Sequence, residues 1–145
     1  MYLLIILPLI SVVVVEITKY LIPGNKRRLS LKNLFSYAGM PSGHAAVMVS
    51  LVTIVGLTDG VSSPLFAVTV ILGLIIIRDA VGLRRYLGMH GKTLNVLVKD
   101  LKDDYVLDEH YPHLLETIGH TYLQVAVGAA IGFLVSIAGY YMMLQ

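Results

Sequence analysis

Two histidines stand where apolar segments begin: His44, in Gly39-Met40-Pro41-Ser42-Gly43-His44, and His120, in Ile118-Gly119-His120-Thr121. Glycine or proline precedes each and a long apolar stretch follows, so each imidazole is expected near a helix N-terminus, where unpaired backbone N–H groups favour anions. An imidazole titrating near neutrality can protonate a departing alkoxide, the chemistry open to His44. It can also attack phosphorus in its neutral form and be released later by water, the chemistry open to His120. Ser42 adds a hydroxyl donor, and Gly43 lets a ligand approach the backbone closely. An ordinary helix cap beside an interfacial histidine accounts for the same residues.

Cations and a carboxylate accompany the histidines. In Arg78-Asp79-Ala80-Val81-Gly82-Leu83-Arg84-Arg85, guanidinium forks match phosphate oxygens two at a time and neutralise charge in a phosphoryl transition state. Arg84 and Arg85 could equally snorkel to lipid headgroups. Asp79 could accept a hydrogen bond from His120 and fix its tautomer, since the position one turn beyond His120 is the neutral Gln124. Lys19 is a further phosphate ligand in this reading. Glu16, three residues before it, offers a pairing partner on the same helix face. Asn95 is a secondary candidate, and the spacing of His90, Asn95, His110 and His113 fits no strong metal site. Neither a metal nor a cofactor is expected.

The elements that must position these groups are those of a membrane protein. The chain has 145 residues, 57% hydrophobic and 14% charged, a balance rare in a soluble domain. A net charge of +2 with interspersed signs argues against nucleic acid. The absence of cysteine removes disulfides and thiolate metal sites. Met1 to Val15 lacks the basic start and the cleavage site of a secretory signal, and its apolar character continues to Ile22. Spans are expected at 2–22, 40–58, 61–77 and 121–143. The second is started at Met40 or Pro41 because Ala45 to Thr58 alone rises only about 21 Å, short of a hydrocarbon core of about 30 Å.

With four spans, the polar motifs share one face of the membrane, and all eleven lysines and arginines fall there, Lys26, Arg27, Arg28 and Lys32 among them. The positive-inside rule makes that face cytoplasmic and puts both termini outside. Between the last two spans, Leu94, Leu97, Val98 and Leu101 recur at helical spacing with Lys92, Lys99 and Lys102 off the stripe. This fits an amphipathic helix on the bilayer, or equally one packed over the domain. Asp103, Asp104, Asp108 and Glu109 read as an acidic turn, after which Pro112 can open a short helix. Gly128 and Gly132 form a small-xxx-small pair suited to close packing within the domain or to a homodimer. The expected class is an all-α integral membrane protein: one domain, residues 1–145, with a bundle of transmembrane helices and an interfacial amphipathic segment.

The order of a lysine, Pro-Ser-Gly-His, then a histidine with a Val-x-x-Gly tail resembles the type-2 phosphatidic acid phosphatase superfamily, which includes the vanadium haloperoxidases. Lys19 resembles its first lysine, Pro41 to His44 match its second motif, and His120 resembles its nucleophile, with Gln124, Val125 and Gly128 in register. No Arg-Pro pair follows the lysine, Leu114 stands where an arginine precedes the nucleophile, and Gln124 replaces an aspartate. A divergent bacterial and archaeal branch is more similar. It carries Gly-Met-Pro-Ser-x-His, Asp-Ala-x-Gly-Val-Arg-Arg, Leu-Asn and Gly-His-Thr-Pro. These compare with Gly39 to His44, Asp79 to Arg85 with Leu83 for valine, Leu94-Asn95, and Gly119 to Thr121 followed by Tyr122.

The resemblance and the residues together imply a metal-independent lipid phosphatase working through a phosphohistidine. His120 is its nucleophile, His44 its acid and Asp79 the group orienting His120. Lys19, Ser42, Gly43, Arg78, Arg84 and Arg85 bind the phosphate. Phosphatidic acid, phosphatidylglycerophosphate or a polyprenyl diphosphate is the expected substrate. The alternative is a phospholipid binder or translocase that keeps the anion site without turnover.

Overall fold

The computed structural model describes residues 2–22, 39–100, 113–116 and 118–143. The cluster of Lys26, Arg27, Arg28 and Lys32, together with Leu101, Lys102, the acidic turn, His110 and Pro112, lies outside them. The described residues form helices α1 (Leu3–Leu21), α2 (Gly43–Thr58), α3 (Pro64–Val81), α4 (Leu83–Asp100) and α5 (Tyr122–Met143). The protein is an all-helical membrane protein. α1, α3 and α5 are long and apolar enough to cross a bilayer, and α2 is a shorter apolar helix of 16 residues.

α2 is the hub, packed against α1, α3 and α5. It begins later than the length argument requires. Ser42 has extended backbone (φ −76°, ψ 117°) and caps the helix, its Oγ accepting from the Ala45 N–H, so Pro41 lies before the helix and not in its first turn. His44 is therefore the second helical residue rather than one turn inside. α3 runs four residues past the expected end because nothing interrupts it before Gly82, and so it carries Arg78 and Asp79. Its start is set by Ser63, whose Oγ accepts from the Phe66 N–H, with Pro64 in the first turn, where a missing N–H is harmless.

The seam between α2 and α5 is made of small residues in a fixed register. A side chain at Gly128 would collide with the Ser42 backbone, and one at Gly132 with the Ala46 backbone. One turn on, Ser136 donates to the Ser50 carbonyl at 2.9 Å and lies 2.7 Å from its hydroxyl. Each pair is offset by 86 residues, so the two helices run parallel with their four-residue ridges in contact. In lipid, where no hydrophobic effect draws helices together, such close backbone approach and buried hydroxyl contacts supply the attraction. Gly128 and Gly132 are thus buried against α2 within the chain, and the face expected to serve a homodimer is already occupied. α1 adds a buried stripe of Leu7, Ser11, Val15 and Lys19, spaced by four, whose last member carries a charge into the bundle.

Candidate active site

The end of α1, the start of α2, the end of α3, the start of α4 and the residues just before α5 meet at one end of the bundle. There the His44 and His120 ring centroids are 6.1 Å apart, with their planes tilted by 56°. Each ring is held through its backbone. The Ser42 N–H donates to the Gln124 carbonyl at 2.9 Å, tying the start of α2 to α5, and the His120 N–H donates to the Ala80 carbonyl at 2.9 Å, tying the start of α5 to α3. Gly43 is half-buried, and a Cβ there would meet nothing within 4 Å, so there is open space beside the first turn of α2.

The cations separate by position. Lys19 is buried, at 4% exposure, and paired with Glu16. Arg84 is half-buried and donates from Nε to Asp79 Oδ2 at 2.6 Å. Both lie within electrostatic range of the two imidazoles. Arg78 and Arg85 are exposed. The structure therefore selects Arg84 from the three arginines that the sequence leaves equivalent, because only its helical position turns inward.

Two expected roles change. Asp79 pairs with Arg84 rather than His120, and it lies within electrostatic range of His44. The His120 Nδ1 is buried without a hydrogen-bond partner among the described residues. Ser42 is fully buried, its oxygen used as the α2 cap and its backbone packed on Gly128, so it does not offer a hydroxyl at an open surface. Gln124 closes a turn with Thr121: its Oε1 accepts from the Thr121 N–H at 2.8 Å, and its own N–H donates to Thr121 Oγ1 at 3.3 Å.

His120 is 4% exposed. Burial pulls its imidazole down to about 4, helped by His44, Lys19 and Arg84 and opposed by the Gln124 side chain. It is neutral at pH 7, with a nitrogen lone pair available. Among the described residues no three of His, Asp and Glu gather as a metal site.

Asn95 stands apart from this end. Its Nδ2 donates to the Leu114 carbonyl at 2.9 Å and to Glu116 Oε1 at 2.9 Å, and lies 3.4 Å from His113 Nδ1, while its Oδ1 accepts from the Leu114 N–H at 3.0 Å. It is a clip between α4 and the segment leading to His120, which the sequence signals only as a polar residue on an amphipathic helix.

Residues 2–135 match the model of the Divergent PAP2 family. The chain belongs to that family. It is also 33% identical over 120 residues to the "Uncharacterized membrane protein YuiD" of Bacillus subtilis (strain 168), a match that covers 77% of this chain and 76% of that protein. No solved structure matches. The family match spans every element that delivers a residue to the histidine gap, from Lys19 on α1 to the start of α5.

Proposed function

We propose that this protein hydrolyses a phosphomonoester or diphosphate of a membrane lipid through a phosphohistidine, with the histidine gap on the cytoplasmic face and both termini outside. The observation that carries this reading is the opposition of His44 and His120. The ring centroids are 6.1 Å apart, which puts both imidazoles within reach of one phosphate ester, a nucleophile from one side and a proton donor from the other. A neutral His120 nitrogen attacks phosphorus, the bond from phosphorus to the lipid oxygen breaks, and His44 gives its proton to that oxygen. Water then attacks the phosphohistidine, His44 takes its proton, the P–N bond breaks and inorganic phosphate leaves. Arg84 and Lys19 offset the charge of the phosphoryl oxygens, and Asp79 holds Arg84. The backbone N–H groups of the first turn of α2, at Gly43 and His44, are further donors for the phosphate in this reading. Phosphatidic acid, phosphatidylglycerophosphate and polyprenyl diphosphates all suit an interfacial site, since the tail stays in lipid while the phosphate enters.

One observation favours a second reading, a phospholipid binder without turnover: among the described residues no carboxylate bonds to the His120 Nδ1, and Asp79 is engaged by Arg84. Phosphate release from a panel of those lipids in detergent separates the two. Turnover by the wild type that falls by about a thousandfold or more in His120→Ala and about a hundredfold or more in His44→Ala supports the enzyme. Lipid binding with equal background release by all three proteins supports the binder.

A further inference from the structure

Residues 113–116 and 118–119 lie along one face of α4, from its C-terminal half to its start. Leu114 is held by Asn95. A Cβ at Gly91 would lie 2.9 Å from the Leu115 carbonyl, and one at Gly88 would lie 2.7 Å from the Glu116 carbonyl. Gly119, at φ +91°, sits so close to α4 that a Cβ there would be 2.6 Å from the Arg85 nitrogen. Asn95, Gly91, Gly88 and Arg84 fall on one helical face by their spacing of three and four. The lengths permit this: five residue steps reach at most about 17 Å, and Asn95 to Arg85 rises about 15 Å in a helix. The glycines form a floor on which backbone lies directly, and Asn95 supplies both a donor and an acceptor to one peptide unit, as a neighbouring strand would. His120 is the next residue after this strap.

We propose that Asn95 is a positioning residue for His120: by clipping Leu114, and with it the strap of residues on the glycine floor of α4, it determines where the imidazole stands relative to His44. The inference rests on reading His120 as the reacting group, but its geometry is independent of turnover. The gap that the strap serves is faced by Lys19 from α1, itself paired with Glu16, by His44 from α2, Asp79 from α3, Arg84 from α4 and Gln124 from α5. A strap lifted from its floor admits water to His120 and withdraws it from the cations, so its titration moves up toward the ordinary histidine value.

The test is an NMR titration of isotope-labelled histidine in the full-length protein in detergent micelles without substrate, with the His120 signal assigned by His120→Gln. The wild-type signal is expected to titrate near 4, and Asn95→Ala is expected to raise the midpoint by about one unit or more. Leu114→Pro, which removes the N–H that Asn95 accepts, is expected to give a shift of the same sign. The double variant is expected to show no further rise, because both substitutions open one clip. With a lipid phosphate substrate, Asn95→Ala is expected to lower kcat about tenfold with KM within about twofold. An Asn95→Ala titration superimposable on the wild type, or additive shifts in the double variant, overturns the proposal. Should Asn95→Ala fail to fold, Asn95→Asp keeps the acceptor and loses the donors. An unshifted His120 in that variant is equally decisive. A wild type without phosphate release removes the enzyme reading and leaves the titration to judge the strap.

Discussion

The α2–α5 seam and the α4 strap each hold one of the two histidines, and they do so by different physics. Along the seam, Gly128, Gly132 and Ser136 meet Ser42, Ala46 and Ser50 with no room for a side chain, so His44 is fixed by exclusion of volume between two rods. Along the strap, a run of non-helical backbone lies on Gly88 and Gly91 and is fastened by the hydrogen bonds of Asn95, so His120 is fixed by a few directional contacts. The first contact is made by groups that do not titrate and is intolerant of bulk. The second rests on a smaller number of constraints. A bundle in lipid can thus hold one imidazole on a rigid frame while the other depends on a locally fastened segment.

The largest effect expected from breaking this comparison comes from Gly132→Leu. A branched side chain facing the Ala46 backbone has no rotamer that escapes, so the helices must part and the loss exceeds the usual overpacking cost of about 1–3 kcal/mol. The variant should lose the monodisperse detergent-solubilised peak and the cooperative thermal transition of the wild type. Gly43→Ala, where the added methyl meets open space, should keep both.

Acid sharpens the contrast. His120 in place titrates near 4, and once exposed it titrates near its ordinary 6.5. Between those values the open strap binds more protons than the closed one, so closure is fully favoured above about pH 6.5 and weakens as the pH falls toward 4. Hydrogen exchange corrected for intrinsic rates should therefore accelerate at 113–120 over that window and stay level along α2 and α5. Equal acceleration in both regions would mean that they are not independent. The smallest effect belongs to Ser136→Ala. Buried hydroxyl contacts between membrane helices average about 0.6 kcal/mol, so a thermal midpoint lowered by only a few degrees is expected, far less than for Gly132→Leu.

Much of this was legible in residue types. The small-residue repeat at Gly128 and Gly132, the pairing of Glu16 with Lys19 and the placement of His44 and His120 at the starts of helices all follow from local rules of spacing and capping. So does the helical membrane class. α2 starts later than expected because bilayer thickness argues for a longer helix while local capping chemistry at Ser42 sets its first turn. Asp79 takes a different partner from the one expected because sequence proximity to a site does not say which group it meets, and Arg84, one helical break away, reaches it. Asn95 is a secondary candidate by residue type and by the Leu94-Asn95 match, but its task as a clip is not legible, since its partner Leu114 offers backbone, which carries no sequence signature.

Local propensity and periodicity suffice to tell which segments are helical and apolar, and that two imidazoles and several cations share one end of the bundle. Which arginine turns inward, which carboxylate it holds and what fastens His120 emerge from the folded bundle alone, because each depends on distances between segments far apart in the chain. The register of α2 on α5 is intermediate. Its glycines are visible in the sequence, but their partners at Ser42 and Ala46 are fixed only when two backbones close to contact.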